Sequence, residues 1–197
     1  MFTKTQIEIM KVFVSKITSR FSIKEVAEIL NKPYPLIHRS IKILISQNFI
    51  KKDEKSLISL NYKENYLALA YIESLRSMDK ISKDKTLALF AKDIKKRIGV
   101  DFFILLVFGS YLEKDNPRDI DILLIVEEEG FIAPVEKIIS NLVSHFTKNF
   151  EVQVISVKSM KQMISKREDI NLVNETLNKH LILFGGESYY KILSDVR

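Results

Sequence analysis

The sequence predicts a mixed α/β (α+β) protein in two parts, a basic helical part and a larger part in which strands and helices alternate. Apolar residues recur at helical spacing through residues 4–17. A continuous apolar run, Phe102–Phe108, and a second run, Ile120–Val126, interrupted only by Asp121, are typical of strands covered on both faces. Residues 1–62 hold 11 Lys and Arg against 5 Asp and Glu, whereas residues 63–197 hold 20 of each. We therefore expect one domain over 1–62 and a second over 63–197.

Composition excludes several classes of protein. The chain has 197 residues, no cysteine and 3 histidines, so disulfides and thiolate metal sites are ruled out. No apolar run approaches the roughly 20 residues that span a bilayer. We expect a cytoplasmic protein without a membrane partner. Because the excess positive charge lies entirely in residues 1–62, we expect this part to contact a polyanion.

Three helices are predicted in the first part. After the helix over residues 4–17, Ser22 and Glu25 form a capping box at the start of a short second helix. The segment Asn31-Lys32-Pro33 is expected to break that helix, because proline lacks an amide hydrogen and restricts the residue before it. Pro35 suits the first turn of a third helix.

A basic hairpin follows, with short strands at Phe49–Lys51 and Leu57–Leu60. Three helices and a hairpin in this order resemble a winged helix-turn-helix domain. That resemblance implies that the third helix enters the major groove of duplex DNA and that the hairpin touches phosphate. The implied DNA-binding residues are His38, Arg39, Lys42 and Ser46 on the helix and Lys51, Lys52 and Lys55 on the hairpin. The alternative is that these residues form solvated faces of a domain that binds protein or only dimerises.

The second part is predicted to contain a small mixed sheet flanked by helices. Helices are expected over 64–78 and from Ser82 to Arg97, with Gly99 ending the latter. Beyond the two apolar strands, we expect a helix over 133–147, a strand at Phe150–Val157, a helix capped by Ser159, a helix at about 169–179, a strand at Leu181–Phe184 and a last helix.

One segment carries a chemical signal. The first apolar strand ends in Gly109-Ser110, and the second is preceded by Asp119 and carries Asp121 near its start. Because strand side chains alternate, the two carboxylates share one face about 7 Å apart. Paired carboxylates favour divalent cations, and a glycine lets phosphate approach the backbone.

This pattern resembles the polymerase-beta-like nucleotidyltransferase superfamily, in particular its minimal nucleotidyltransferase branch. The tail from Leu181 to Tyr190 is also similar to the endings of archaeal members. The resemblance implies that Asp119 and Asp121 hold Mg²⁺ (or Mn²⁺) and that Gly109 and Ser110 bind the phosphates of a nucleoside triphosphate such as ATP. Tyr111, Lys114 and Arg118 would assist, with Arg118 as a phosphate partner.

The resemblance also implies a third catalytic carboxylate on the following strand. Our preferred register places Gln153 at that position, with Glu151 on the same face two residues earlier. Glutamine is a poor metal ligand and cannot act as a base. Whether Glu151 supplies the third acid is left open.

Two functional hypotheses follow. The first is a Mg²⁺-dependent nucleotidyltransferase that moves a nucleotidyl group to an acceptor hydroxyl, with a DNA-binding winged helix. The second is a DNA-binding transcriptional regulator whose transferase-like domain binds nucleotide or mediates assembly as a homodimer. An antitoxin-like role beside a helical toxin belongs with the second.

Overall fold

In the computed structural model, which describes residues 2–114, 117–166 and 171–196, the first part consists of three helices and a small antiparallel sheet. The sheet has the strand order β1-β3-β2. The elements are α1 Lys4–Ser15, β1 Arg20–Phe21, α2 Ile23–Ile29, α3 Tyr34–Ser46, β2 Ile50–Lys52 and β3 Ile58–Leu60.

Two local signals in this part are realised as predicted, whereas α2 ends at Ile29, before Pro33, and Pro33 is the N-cap of α3. Ser22 caps α2 by accepting from the Glu25 amide, and the Glu25 carboxylate accepts from the Ser22 amide at 2.6 Å. Pro35 lies in the first turn of α3. Strand β1, which the sequence analysis did not predict, is two residues long and pairs with β3.

The second part contains a four-stranded mixed sheet with the order β6-β5-β4-β7, in which β5 and β6 are parallel and the other pairs antiparallel. The predicted α+β class, with small sheets flanked by helices, is confirmed. The elements are α4 Tyr66–Ile81, α5 Lys85–Arg97, β4 Phe103–Phe108, β5 Asp119–Val126, α6 Ile132–Val143, β6 Asn149–Ser156, α7 Val157–Ser165, α8 Leu172–Thr176, β7 His180–Phe184 and α9 Gly186–Val196. Within the described ranges, no helix is long and apolar enough to cross a membrane.

The two faces of this sheet bury different side chains. One face, with Leu105 and Ile122, packs against α5 and α6. The other, with Leu106 and Leu123, packs against α4, α7 and α9. Because side chains alternate along β5, Asp119 and Asp121 lie on the α4/α9 face, at the start of the strand and before the buried Leu123.

The core on the α4/α9 face continues into the first part. Ile9, Phe13 and Ile41 belong to the same buried cluster as Leu123 and Leu193. Packing therefore runs across the predicted boundary at residue 62, because α1 lies against α4.

The expected start of α7 and the expected end of α8 were wrong. The cap of α7 is Ser156, whose hydroxyl accepts from the Ser159 amide at 3.1 Å, so that the helix begins as soon as β6 ends. The helix expected over 169–179 spans only Leu172–Thr176, since Asn171 caps it by accepting from the Asn174 amide. Residues 169 and 170 of that expectation lie outside the described ranges.

A buried charged network joins α4 to β7 and α9. The Glu73 carboxylate, 1% exposed, accepts from Arg76 at 2.7 and 2.8 Å and from the Tyr190 hydroxyl at 3.1 Å. His180 Nε2 lies 3.3 Å from Glu73 Oε1, and His180 Nδ1 donates to the Thr176 carbonyl at 2.8 Å. Burial alone would raise the pKa of Glu73, but Arg76, with His180 and Tyr190, more than reverses that effect and lowers it.

We expect Glu73→Gln to lower the free energy of unfolding by about 3–5 kcal/mol at pH 7, because it leaves the Arg76 charge buried without a counterion. Urea unfolding measures this, with exposed Glu64→Gln as the control, expected to change stability by less than about 0.5 kcal/mol. Because the pKa of Glu73 is lowered from 4.5, its contribution is complete above that value and is lost as the pH falls further. If the difference in free energy of unfolding between wild type and Glu73→Gln does not decrease as the pH is lowered, the ion pair does not stabilise the protein in this way.

Candidate functional site

A cleft of about 670 Å³ lies on the α4/α9 face, where β4 ends and β5 begins. It is built from the end of β4 and the 3-10 turn after it, from β5 and the edge strand β6, and from α8 with the residues that follow it. Its lining residues are Phe108, Gly109, Ser110, Glu113, Asp121, Gln153, Leu172, Asn174, Glu175, Asn178 and Lys179. The cleft thus brings together residues from five segments of the chain.

Gly109 lies close to Asp121 where β4 pairs with β5. The β4–β5 register pairs Phe108 with Asp121, so that Asp121 lies beside the turn. Gly109 has φ +72°, and a Cβ at this position would lie 2.7 Å from Asp121 Oδ2. Only glycine satisfies both the left-handed backbone and the close approach of the carboxylate.

The two aspartates form a like-charged pair. Asp119 Oδ1 accepts from Asn149 Nδ2 at 2.8 Å, which fixes its orientation. Partial burial and then the negative charge of Asp119 raise the pKa of Asp121. A cation between the carboxylates would relieve this repulsion. Within the part of the chain that the structure describes, no group of three His, Asp or Glu side chains is placed to hold a metal.

The β5–β6 register decides which residue of β6 faces the cleft. Asp121 pairs with Glu151 and Leu123 with Gln153, and both β6 side chains are exposed. Gln153 lines the cleft together with Asp121, whereas Glu151 is outside the lining. The cleft carries two further acids that the sequence analysis did not single out, Glu113 and Glu175.

The three residues expected to assist, Tyr111, Lys114 and Arg118, all lie outside the cleft lining. Tyr111 is buried under the turn, its hydroxyl donates to Asp84, and Lys80 Nζ lies 4.4 Å from its ring centroid. Burial and the hydrogen bond to Asp84 raise the pKa of Tyr111. Tyr111 thus supports the turn from beneath. Arg118 is exposed at the entrance to β5, and Lys114 is also exposed.

Sequence reasoning missed Asn178 and Lys179. The Lys179 carbonyl accepts from the Gly109 amide at 3.2 Å, and Lys179 Nζ lies 3.1 Å from Glu113 Oε2. An ammonium group therefore stands beside the Gly109–Ser110 turn. Because a helix is expected over 169–179, the sequence does not indicate that these residues lie against a turn 70 positions earlier in the chain.

The predicted DNA-binding residues lie on two adjacent exposed surfaces. Arg39, Lys42 and Ser46 are exposed on α3, and His38 is half-buried with its ring stacked on Tyr34 at 5.7 Å. The hairpin lysines Lys51, Lys52 and Lys55 are all exposed. Exposed Leu36 and Ile43 flank the basic residues of α3, which adds apolar surface to this face.

Comparison with known proteins does not identify the family. No protein-family model and no curated protein matches the chain. Among solved structures, it shows low similarity to Pseudomonas aeruginosa HmgR, with 20% identity and a TM-score of 0.30 over 61% of this chain and 45% of that one. The match spans less than half of HmgR, and likeness at this level carries no argument. Membership of the nucleotidyltransferase superfamily stays a prediction from the motif.

We expect Gly109→Ala to destabilise the protein by about 1–3 kcal/mol, because alanine at positive φ is strained and its Cβ collides with the Asp121 carboxylate. Gly130, which has no atom within 4 Å of its would-be Cβ, provides the matched control, and Gly130→Ala should change stability by less than about 0.5 kcal/mol.

Adding Asp121→Ala to Gly109→Ala should restore part of this loss, since the collision disappears and only the backbone strain remains. Thermal or urea unfolding of the four proteins gives the coupling energy between the two positions, expected to be about 1 kcal/mol or more. Strictly additive effects would show that Gly109 and Asp121 are not in contact.

Proposed function

We propose that the cleft binds a nucleoside triphosphate with Mg²⁺ and transfers its nucleotidyl group to an acceptor hydroxyl, while α3 and the β2–β3 hairpin bind duplex DNA. The observation that carries the proposal is the placement of Asp121 against Gly109, with Asp119 beside it on the same strand. A positive-φ glycine backed by paired carboxylates has no evident use in stability, since it concentrates negative charge.

The donor set fits Mg²⁺. This ion is usually held by one or two carboxylates together with substrate phosphates, so that two aspartates suffice without a complete protein cage. Asp119 and Asp121 would hold it. Burial and then the charge of Asp119 raise the pKa of Asp121, and the positive charge of the ion would offset the repulsion between the two carboxylates. When bound, Mg²⁺ would neutralise charge on the phosphates.

The remaining residues of the cleft can bind and orient the nucleotide. The Ser110 hydroxyl and the Lys179 ammonium can donate to phosphate oxygens, and Phe108 and Leu172 offer apolar surface to a base or ribose. In the transfer, the acceptor oxygen bonds to the α-phosphorus as the bond to pyrophosphate breaks. Gln153 cannot take the acceptor proton, and we assign that role to Glu175, a cleft-lining carboxylate.

A second candidate function is favoured by Gln153. Because the side chain of β6 that lines the cleft is an amide, nucleotide could bind without turnover. The protein would then be a DNA-binding regulator that responds to nucleotide. The two candidates share the nucleotide site and differ only in the chemical step.

We expect Asp119→Asn with Asp121→Asn to weaken binding of Mg²⁺–ATP, or of whichever of GTP, CTP and UTP binds best, by about 10-fold or more. Calorimetry with each nucleotide measures this. The control removes two exposed acids at the far end of β5, Glu127→Gln with Glu128→Gln, and should leave affinity unchanged. Equal binding by wild type and the Asp119/Asp121 variant would refute the metal assignment.

Gln153→Glu should raise nucleotidyl transfer by about 10-fold or more if the protein is an enzyme, because it adds a carboxylate to the cleft. Release of pyrophosphate and incorporation of α-³²P label measure turnover, and Gln162→Glu on the exposed face of α7 is the control. Binding without turnover in both wild type and Gln153→Glu would favour the regulator.

Arg39→Ala with Lys42→Ala should weaken duplex DNA binding and reduce the slope of log affinity against log salt by about 2, since two phosphate contacts are removed. Lys92→Ala with Lys96→Ala, two exposed lysines on α5, is the charge-matched control. If both double variants bind DNA equally well, α3 is not the DNA-binding surface.

A further inference from the structure

Residues Leu177, Asn178 and Lys179, here called the linking segment, join α8 to β7, and Asn178 and Lys179 line the nucleotide cleft. The Lys179 carbonyl accepts a hydrogen bond from the Gly109 amide at 3.2 Å, and the Lys179 ammonium forms an ion pair with Glu113 at 3.1 Å. The candidate phosphate turn and the linking segment are therefore bonded by both backbone and side chain.

The same segment is bonded to the first part of the protein. The Leu177 carbonyl accepts from the Ile17 amide at 3.0 Å. Asn178 and Thr18 exchange two hydrogen bonds, from the Thr18 amide to Asn178 Oδ1 at 3.0 Å and from Asn178 Nδ2 to Thr18 Oγ1 at 2.6 Å. These three bonds cross 160 positions of sequence and fix the turn between α1 and β1.

That turn is connected to both DNA-binding elements. Helix α1, which ends just before it, packs against α3. Strand β1, which begins just after it, pairs Arg20 with Ser59 of β3 in the basic hairpin. Ordering of Ile17 and Thr18 is therefore expected to restrain α3 and the hairpin, which carry the predicted DNA contacts.

A second cleft, of about 430 Å³, lies between α1 and the linking segment. It shares Glu113, Asn178 and Lys179 with the nucleotide cleft. Asn178 and Lys179 therefore lie between two cavities, whereas Leu177, the first residue of the linking segment, is buried in the core.

We infer that nucleotide binding in the cleft tightens DNA binding by the first part, through the linking segment. The inference rests on the proposed function. A nucleotide that contacts Ser110 and Lys179 restrains the linking segment in the arrangement that already bonds Ile17 and Thr18. DNA then binds to a module whose α1–β1 turn is already ordered, so the second binding event costs less conformational entropy.

The first experiment measures DNA affinity with and without saturating Mg²⁺–nucleotide. Wild type should bind DNA about 5-fold more tightly with nucleotide, the lower end of ordinary coupling. Thr18→Val removes the Oγ1 acceptor with little change of shape. It should leave nucleotide affinity and basal DNA affinity within about 2-fold and reduce the nucleotide effect to less than 2-fold. Thr147→Val, an exposed threonine before β6, should keep the full effect.

The second experiment needs no DNA. Hydrogen exchange of the Ile17 and Thr18 amides should slow when Mg²⁺–nucleotide is added to wild type, and slow less in Thr18→Val. If calorimetry shows nucleotide bound but neither exchange nor DNA affinity changes, the inference is overturned and the proposed function stands. An equal nucleotide effect in wild type and Thr18→Val would also overturn it. If no nucleotide binds, the proposed function falls and the inference falls with it.

Discussion

The contact between Gly109 and Asp121 is the constraint on which the site depends. Antiparallel pairing of β4 with β5 sets Phe108 opposite Asp121, so the residue after Phe108 has to turn away beside a carboxylate. A side chain there would fall 2.7 Å from Asp121 Oδ2. The sheet therefore requires a left-handed glycine, and the turn that follows borders a cleft whose lining includes Gly109 and Asp121. That arrangement costs electrostatic energy, as the raised pKa of Asp121 indicates, and natural proteins retain such costs mainly at functional sites.

The hydrogen bonds of the buried His180 fix the C-terminal end of the linking segment. His180 is the first residue of β7 and directly follows Lys179. Its ring Nδ1 donates to the Thr176 carbonyl at 2.8 Å, and its own carbonyl accepts from Arg76 at 2.9 Å. Arg76 in turn is neutralised by Glu73 in the core. The linking segment is thus anchored where the sheet begins, while its middle contacts the nucleotide cleft on one side and the α1–β1 turn on the other.

Much of the framework follows from local sequence signals. The Ser22–Glu25 capping box, the continuous apolar strands and the face shared by Asp119 and Asp121 depend on spacing within a few residues, and the structure contains each of them. Signals that depend on distant partners could not be predicted. Strand β1 has only two residues and is defined by its pairing with β3.

The same limit applies to the site. The choice of Ser156 over Ser159 as the cap of α7 depends on where the sheet ends, since either serine suits a helix start. Tyr111 looked available to a ligand because its loop is polar, yet Asp84 from another segment binds its hydroxyl. Lys179 reaches Gly109 through a backbone hydrogen bond that no sequence pattern marks.

The most direct test of the central claim is anomalous diffraction from crystals grown with Mn²⁺ and a non-hydrolysable nucleoside triphosphate. The account predicts a manganese peak bridged by carboxylate oxygens of Asp119 and Asp121, with phosphate oxygens on the same ion and the triphosphate lying along the Gly109–Ser110 turn. Manganese bound elsewhere, with those carboxylates facing only water or protein cations while nucleotide is present, would contradict it.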